Sequence, residues 1–396
     1  MNAAIWSGES TGPALRTLFI VMVLVAAPAF AQQPPIPPAP PAPPDRGDWA
    51  DQFAARIEAQ AQELARHFEH VFDHAFDDAF EQRNPNPNPN PRAQRDRAGQ
   101  RGPEVTERFS KTVRLGRNGS LELTNVAGDI VITGGGGNEV KIDAVKRVRS
   151  RDDAEAKARL QEIEIRVEES ANRVDVRTVY PRERRNLAGA VDYTVALPQD
   201  ANVTVHSVSG DVRVTNVRGE LEAASVSGDV VAADVPKLMG LKSVSGDIQL
   251  TNGASDGPLD LGSVSGDLVI RGLKARTIDV GTVRGDILLD NVESGHVDTR
   301  SVSGNVDYRG PLARTGRYEF NSHSGDIVLT VSGNTGFAIE ANTFSGDVRS
   351  DFAVTLRGGD SGGRGPRRRT IRGSFGDGSA TLSMNSFSGD IAVIKR

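Results

Sequence analysis

The chain has 396 residues, 37% of them hydrophobic, with Gly 42, Pro 21 and Cys 0, enough for one or two buried cores joined to long stretches of turn and extended linker. Its net charge of -5 at pH 7 excludes the global basic field that nonspecific nucleic-acid binding requires, so no nucleic-acid partner is expected. The lack of cysteine excludes disulfides, thiol nucleophiles and a lipid-bearing cysteine, and leaves burial and hydrogen bonds to hold the fold.

Residues 17–30, TLFIVMVLVAAPAF, form an apolar run after Arg16, and Ala29-Phe30-Ala31 follows as a small-x-small cleavage site. This reads as a secretory signal over residues 1–31, with cleavage after Ala31. The run is short for a membrane span, and the chain offers no longer one, so no transmembrane segment is expected after signal removal. The expected location is outside the cytoplasm: periplasm, outer-membrane surface or secreted.

Residues 32–48 are a proline-rich spacer containing PPIPPAPPAPP, a polyproline II composition. From Trp49 to Arg83 there is no Gly or Pro, and Trp49, Phe53, Ile57, Leu64, Phe68, Phe72, Phe76 and Phe80 recur mostly at four-residue spacing. That pattern predicts an amphipathic helix over 49–83 whose apolar stripe drifts around its axis, suited to wrapping a surface or to self-association. His67, His70 and His74 fall on one side of it, where a zinc or nickel ion could sit; a solvated polar face is the plainer reading, since one helix seldom closes a metal site. Residues 84–103, four Asn-Pro pairs and then an arginine-rich run, read as a disordered linker.

The remainder is dominated by one repeat. Aligned on the glycine, ten copies appear: Gly128-Asp129, Gly210-Asp211, Gly228-Asp229, Gly246-Asp247, Gly266-Asp267, Gly285-Asp286, Gly304-Asn305, Gly325-Asp326, Gly346-Asp347 and Gly389-Asp390. From Gly210 to Gly346 the steps are 18, 18, 20, 19, 19, 21 and 21 residues, the range of solenoid coils. Apolar pairs sit seven and five residues before the glycine (Val203/Val205, Leu221/Ala223, Met239/Leu241, Leu259/Leu261) and two and four after it (Val212/Val214, Ile248/Leu250, Leu268/Ile270). Each copy is therefore two short strands with alternating inward residues, joined at Gly-Asp, and no copy can bury its own inner face. Stacking at the strand spacing of about 4.8 Å closes a continuous core.

In this reading glycine supplies the positive φ of a tight corner, and aspartate accepts nearby backbone N–H groups in an Asx-type turn. Ser or Thr three residues earlier forms a hydroxyl ladder beside the corner. Carboxylates stacked about 4.8 Å apart repel by about 0.9 kcal/mol even in water, so backbone donors or bridging cations must offset them. Asn305 keeps the acceptor and drops the charge, which favours the hydrogen-bond role over a calcium ladder.

Residues 151–170, RDDAEAKARLQEIEIRVEES, read as a short helix running into a strand that caps the first end. The predicted fold is all-β: a parallel β-helix, or β-solenoid, of about nine to ten coils of 18–21 residues, with a separate N-terminal helix and a small α+β cap. Its first strands and cap occupy 104–200, and the repeat occupies 201–396 with a basic insertion at 357–373.

The block VDYTVALPQDANVTVHSVSGDV (191–212), the further SVSGD coils and the closing GDGSATLSMNSFSGDIAV (376–393) resemble the bacterial putative-adhesin family, a domain of unknown function built from such repeats. The resemblance covers residues 105–396 and implies a β-helical fold in exported or envelope proteins. It implies little biochemistry, and no cofactor and no catalytic residue are expected.

Chemistry is sparse. His206, His296 and His323 sit at different phases of different coils, so a Ser-His site is not expected. Six residues before the glycine, Glu222, Asp260, Asp279, Asp298, Glu319 and Glu340 form an acidic stripe on the outward face. It reads as a solvated face, or as a binding stripe for cations or a basic partner, with the arginines of 364–372 as one such partner. A regular column of like charge lacks the two differentiated carboxyl environments of a glycosidase. Two Arg-Gly-Asp triplets, at 46–48 and 284–286, are explained by chance and by the repeat. The functional expectation is a non-enzymatic, adhesin-like envelope protein whose partner is an envelope or surface protein or a polysaccharide. The alternatives are a β-helical carbohydrate-active lyase or hydrolase, and a metal-binding envelope sensor using the histidines.

Overall fold

The computed structural model describes residues 104–116, 118–150, 152–181, 189–356 and 369–396. The expected signal, the proline spacer, the segment 49–83 with His67, His70 and His74, the linker 84–103 and most of the basic insertion lie outside these residues.

The repeat forms a parallel β-solenoid. On one face the strands preceding each Gly-Asp lie side by side in register, so that Ser207, Ser225, Ser243, Ser263, Thr282, Ser301 and Ser322 share one column. On the next face the following strands do the same, with Val212, Val230, Ile248, Leu268, Ile287, Val306 and Ile327 in column. The inward residues of both faces meet in one core. Val203, Val205, Leu221, Ile248, Leu261, Ile270, Val280, Leu289, Phe320 and Leu329 are all fully buried. No coil could hide these side chains alone; each is covered by the coils above and below.

Two details depart from the simple two-strand coil. In the middle of the stack the second strand does not stop at the next bend. Gly253–Ser255, Leu273–Ala275 and Val292–Ser294 pair in parallel as a third side, and these coils are the ones with steps of 19 or 20 residues instead of 18. The extra length becomes strand. Second, Met239, expected to face inward, is 52% exposed while Leu238 is buried. The register shifts between Leu221 and Glu222 against Leu238 and Gly240, and this bulge turns Leu238 into the core in place of Met239.

Chain order and spatial order diverge at both ends. At the C-terminal end the strand Ala380–Ser388 pairs with Arg317–Ser324 on one edge and Phe337–Ser345 on the other. Ile391–Lys395 likewise lies between Ile327–Ser332 and Val348–Ser350. The Gly389 coil, last in sequence, is thus the second-to-last layer, and the Gly346 coil lies outside it. An antiparallel strand, Arg369–Phe375, covers the edge of Phe337–Ser345. At the other end, Arg173–Val179 and Gly189–Pro198 form a layer outside the Gly128 coil, although they follow it in the chain. Beyond that layer come the antiparallel strands Glu164–Ser170, Glu139–Arg149 and Glu104–Arg114 (β1). Helix α1 (Asp153–Glu162), capped by the Asp152 carboxylate on the Ala154 N–H at 2.9 Å, buries Ala156 and Leu160 against this cap. The helix running into a strand is as expected from the sequence.

Inserting the last coil between two others makes its layer internal to the stack. Ala380, Leu382, Met384, Ile391 and Val393 are buried, and truncating even one such side chain costs about 2–5 kcal/mol against a total stability of about 5–15 kcal/mol. Deletion of residues 380–396 is therefore expected to abolish the cooperative thermal transition followed by circular dichroism.

Three of the chain's four tyrosines, Tyr193, Tyr308 and Tyr318, are buried in the core, and Tyr180 packs against it. Burial raises Tyr180, Tyr308 and Tyr318 above the ordinary tyrosine value of 10.0 and pushes Tyr193 up to about 12. Because the folded values exceed the unfolded one, this stabilisation is complete below about pH 10 and is lost as pH rises toward 12. Tyrosinate absorbance should stay flat through pH 10 in the native protein and titrate near pH 10 in denaturant.

Candidate interaction surface

The corner explains why Ser, Gly and Asp recur together. A Cβ placed on Gly210, Gly228, Gly246, Gly266, Gly285, Gly304 or Gly325 would stand less than 3.0 Å from the carbonyl oxygen of the preceding coil's glycine. The requirement is clearance between coils. The corners at Gly210 and Gly285 also have φ of +134° and +143°, a conformation that favours glycine, yet Gly246 and Gly266 show the same close approach without a φ in that range.

The carbonyls brought so close need donors. Hydroxyls of the adjacent coil supply them: Ser243 to Gly228 O at 3.2 Å, Ser263 to Gly246 O at 3.0 Å, Thr282 to Gly266 O at 3.2 Å, Ser322 to Gly304 O at 3.2 Å, Thr343 to Gly389 O at 2.9 Å and Ser386 to Gly325 O at 3.1 Å. Each of these hydroxyl residues is buried.

The aspartates do not close Asx turns within their own coil, as the sequence suggested. Each accepts from the backbone N–H of the aspartate one layer on: Asp129 from Asp211, Asp211 from Asp229, Asp229 from Asp247, Asp247 from Asp267, Asp267 from Asp286 and Asp286 from Asn305. Asn305 continues the series by accepting from Asp326, Asp326 from Asp390 and Asp390 from Asp347, at 2.8–2.9 Å. The neutral amide fits because the position demands an acceptor. The ladder also extends into the cap, where Asp192 accepts from the Asp129 N–H at 3.1 Å and is held by Arg147. Asp192 lies in no SGD motif, so the repeat gave no signal for it. Asp286 of the second Arg-Gly-Asp triplet is committed to the same ladder.

A further column escaped the sequence reading. Asn216, Asp234, Asn252 and Asn291 have φ between 54° and 58°, and Gly272 has φ 68°. All lie six residues after the corner glycine. They form the second bend, in the left-handed region that Asn, Asp and Gly tolerate. The recurring Asn or Asp at that offset was visible in the sequence.

The acidic stripe is assembled as a column, in the order Glu222, Gly240, Asp260, Asp279, Asp298, Glu319, Ser383, Glu340. Cations of the same face pair with most of it. Lys242 lies 3.4 Å from Asp260, Arg300 lies 3.2 Å from Asp279 and also contacts Asp298, Arg317 contacts Glu319, and Arg372 lies 2.6 Å from Glu340. The stripe is thus a row of alternating charge within one molecule. Arg372, from the end of the basic insertion, contributes to it in cis.

His206, His296 and His323 are not brought together; they lie on separate strands. Among the described residues no cluster of three or more His, Cys, Asp or Glu could hold a metal. A depression of about 490 Å³ on the third side is lined by Asp256, Lys274, Arg276 and Glu293 together with small residues. It offers mixed charge without paired carboxylates.

What remains on the first face is apolar. Two residues before each corner glycine stand, in spatial order, Val126, Val208, Val226, Val244, Val264, Val283, Val302, His323, Phe387 and Phe344; Val208 is buried, His323 and Phe387 are exposed, and the others are half-buried. Ten layers at about 4.8 Å make a ridge of about 43 Å. At its C-terminal end the rings of His323, Phe387 and Phe344 stack with centroids 4.9 and 4.8 Å apart and planes 6° from parallel. Phe387 is 49% exposed.

A parallel stack of coils held by a Ser-Gly-Asp corner, with no assembled catalytic group among the described residues, defines a repeat scaffold of the β-solenoid class. The chain belongs to the Toastrack DUF4097 family, whose profile matches residues 118–394. It is similar to three solved structures: a "putative cell adhesion protein" from Clostridium sporogenes (11% identity, 73% of this chain and 100% of that one, TM-score 0.20), a "putative lipid binding protein" from Parabacteroides distasonis (11%, 72% and 96%, 0.39) and a "putative adhesin" from Bacteroides fragilis (12%, 73% and 97%, 0.35). No curated protein sequence matches the chain.

The corner roles separate under mutation. Asp247→Asn keeps the acceptor and is expected to leave the melting temperature nearly unchanged, whereas Asp247→Ala loses a bond to a charged group and about 1.5–3 kcal/mol. Gly246→Ala forces backbone against backbone and is expected to cost about 1–3 kcal/mol. Urea unfolding of the three variants checks the order.

Proposed function

We propose that this protein is a non-enzymatic, exported binding protein of the cell envelope, and that the outward ridge from Val126 to Phe344 is its contact surface. The observation that carries the reading is the ridge itself. Nine of the ten layers leave a Val, His or Phe at this position at least partly exposed, on a face where solvation alone would favour polar residues. The polar residues of the repeat are meanwhile consumed by the fold: Ser and Thr hydroxyls hold the glycine carbonyls and Asp carboxylates hold the next layer. A straight ridge suits an extended partner, and we favour a protein segment over a polysaccharide. The stacked His323, Phe387 and Phe344 rings lie plane on plane along the stack, so both faces of Phe387 and one face each of His323 and Phe344 are covered and unavailable to a sugar ring. Export rests on the apolar run 17–30 and the Ala29-Phe30-Ala31 site.

The test is retention of isolated envelope proteins on the immobilised full chain, compared with the double variant Phe344→Ser, Phe387→Ser, whose rings are outside the core. Retention is expected to fall at least tenfold in the variant with its melting temperature little changed. Equal retention by both proteins would remove the ridge from the reading, and turnover of a soluble glycan would replace it with the carbohydrate-active alternative. N-terminal sequencing of protein recovered from the envelope should begin at Gln32.

A further inference from the structure

Strand β1 closes the N-terminal end of the solenoid on the second face, and among the described residues only one of its edges is paired. It pairs antiparallel with Glu139–Arg149 from Glu104↔Arg149 to Arg114↔Glu139, and among the described residues no strand pairs with its other edge. At 11 residues this is a long free edge, the kind that soluble proteins usually cover or guard.

The direction of its backbone groups follows from one bond. Leu115 N–H donates to Asn138 O at 2.9 Å, and 115 opposite 138 continues the β1 register. In an antiparallel ladder hydrogen-bonded residues alternate. The odd residues of β1 therefore point N–H and C=O to Glu139–Arg149. Glu104, Thr106, Arg108, Ser110, Thr112 and Arg114 point theirs to the open edge.

The sequence of this strand, EVTERFSKTVR, matches its own reverse. Laid antiparallel on a second copy about Phe109, it sets Glu104 opposite Arg114, Val105 opposite Val113, Thr106 opposite Thr112, Glu107 opposite Lys111, Arg108 opposite Ser110 and Phe109 opposite Phe109. Both charge pairs are attractive, the apolar pairs are like with like, and no like charges meet. The register also makes the even residues the hydrogen-bonded pairs, as their backbone direction requires. Val105 and Phe109 are only partly buried, packed at the rim of the core, and the second copy would cover them. Glu107 already bonds Lys146 at 3.0 Å and Lys111 bonds Glu169 at 2.7 Å, so the joined strands would carry an alternating charge row. The neighbouring edge Glu164–Ser170 lacks this property: centred on Val167, it sets Ile165 opposite Glu169.

We infer that the protein forms a two-fold symmetric dimer by antiparallel pairing of β1 with the β1 of a second copy. An isologous interface requires such a self-complementary patch, and here it joins two solenoids end to end through one continuous second face. The ridge of the first face is left open on both copies.

Sedimentation of the full chain at micromolar concentration is expected to give twice the monomer mass. Thr112→Pro removes an N–H that the monomer does not use, and proline is tolerated on an edge strand. It is expected to halve that mass with an unchanged circular dichroism spectrum. Phe109→Cys supplies the chain's sole cysteine at a non-hydrogen-bonded pair on the two-fold axis, where Cα atoms lie about 4.5 Å apart, within disulfide range. Mild oxidation is expected to convert it to covalent dimer, while Thr251→Cys, exposed on a strand remote from β1, is expected to give no covalent dimer. A monomeric full chain overturns the inference. So does a dimer that survives Thr112→Pro, as association through 49–83 would. If Thr112→Pro fails to fold, the cysteine pair decides alone, and failure to cross-link at 109 counts against the interface.

Discussion

Everything in the solenoid depends on how closely one corner can approach the next. The glycine carbonyl of each layer occupies the space where a Cβ of the following glycine would be. That approach brings the layers to strand spacing at the bend, where the regular ladder is otherwise interrupted, and so allows both flanking faces to pair without a gap. It also creates a need. A carbonyl pressed into a corner is shielded from water, and a buried acceptor without a donor is costly. The hydroxyl three residues upstream of each glycine and the aspartate immediately after it meet the two requirements of the bend, one donating and the other accepting. Ser, Gly and Asp recur together because each becomes necessary once the others are present.

The same constraint makes the two ends the difficult part of the structure. A parallel stack always ends in open edges, and growth by addition of further coils only moves the edge. Here each end is closed by antiparallel strands, and at each end one coil lies inside a layer from which it is not adjacent in sequence. The consequence is mechanical. The Gly389 coil is hydrogen-bonded to the Gly325 and Gly346 coils at once, through Gly325 N to Ser388 O and Gly389 N to Ser345 O. The outermost coil is then held by a segment from the far end of the chain instead of by its sequence neighbour alone, which opposes the fraying expected of terminal repeats.

Much of this was legible in the residues. The period of 18–21 and the alternation of inward side chains identified the coils, and the offset of Ser, Gly and Asp located the corner, because these features are local and repeat. The errors fell where the cause was not local. Met239 took the inward position by spacing, but a single-residue bulge gave it to Leu238. Asp192 and the interposed Gly389 coil depend on which layers become neighbours, and no spacing along the chain records that. The direction of the aspartate bond, to the next layer instead of its own turn, is likewise a property of the stack. The acidic residues stand in one column, but their cations come from positions two residues away or from adjacent layers, so the charge of the column alone does not describe the field of the face.

This division of labour bears on where recognition can reside. In each strand the inward positions are fixed by the core and the corner positions by the bend, which leaves the outward columns free to differ from layer to layer. Of these, the column six residues before the glycine is largely engaged in ion pairs within the molecule, and the column beside it supplies some of their partners, as Lys242 and Arg300 do. The column nearest the corner is different: its valines have no polar partner to satisfy and no core to fill, and toward the C-terminal end the valines give way to stacked rings. A side chain held at a fixed spacing by a rigid backbone loses little further freedom when it meets a partner, so the entropic cost of ordering a surface is largely met in folding. A ridge built this way binds by shape and length, and the identity of its partner is set by the few layers where valine is replaced.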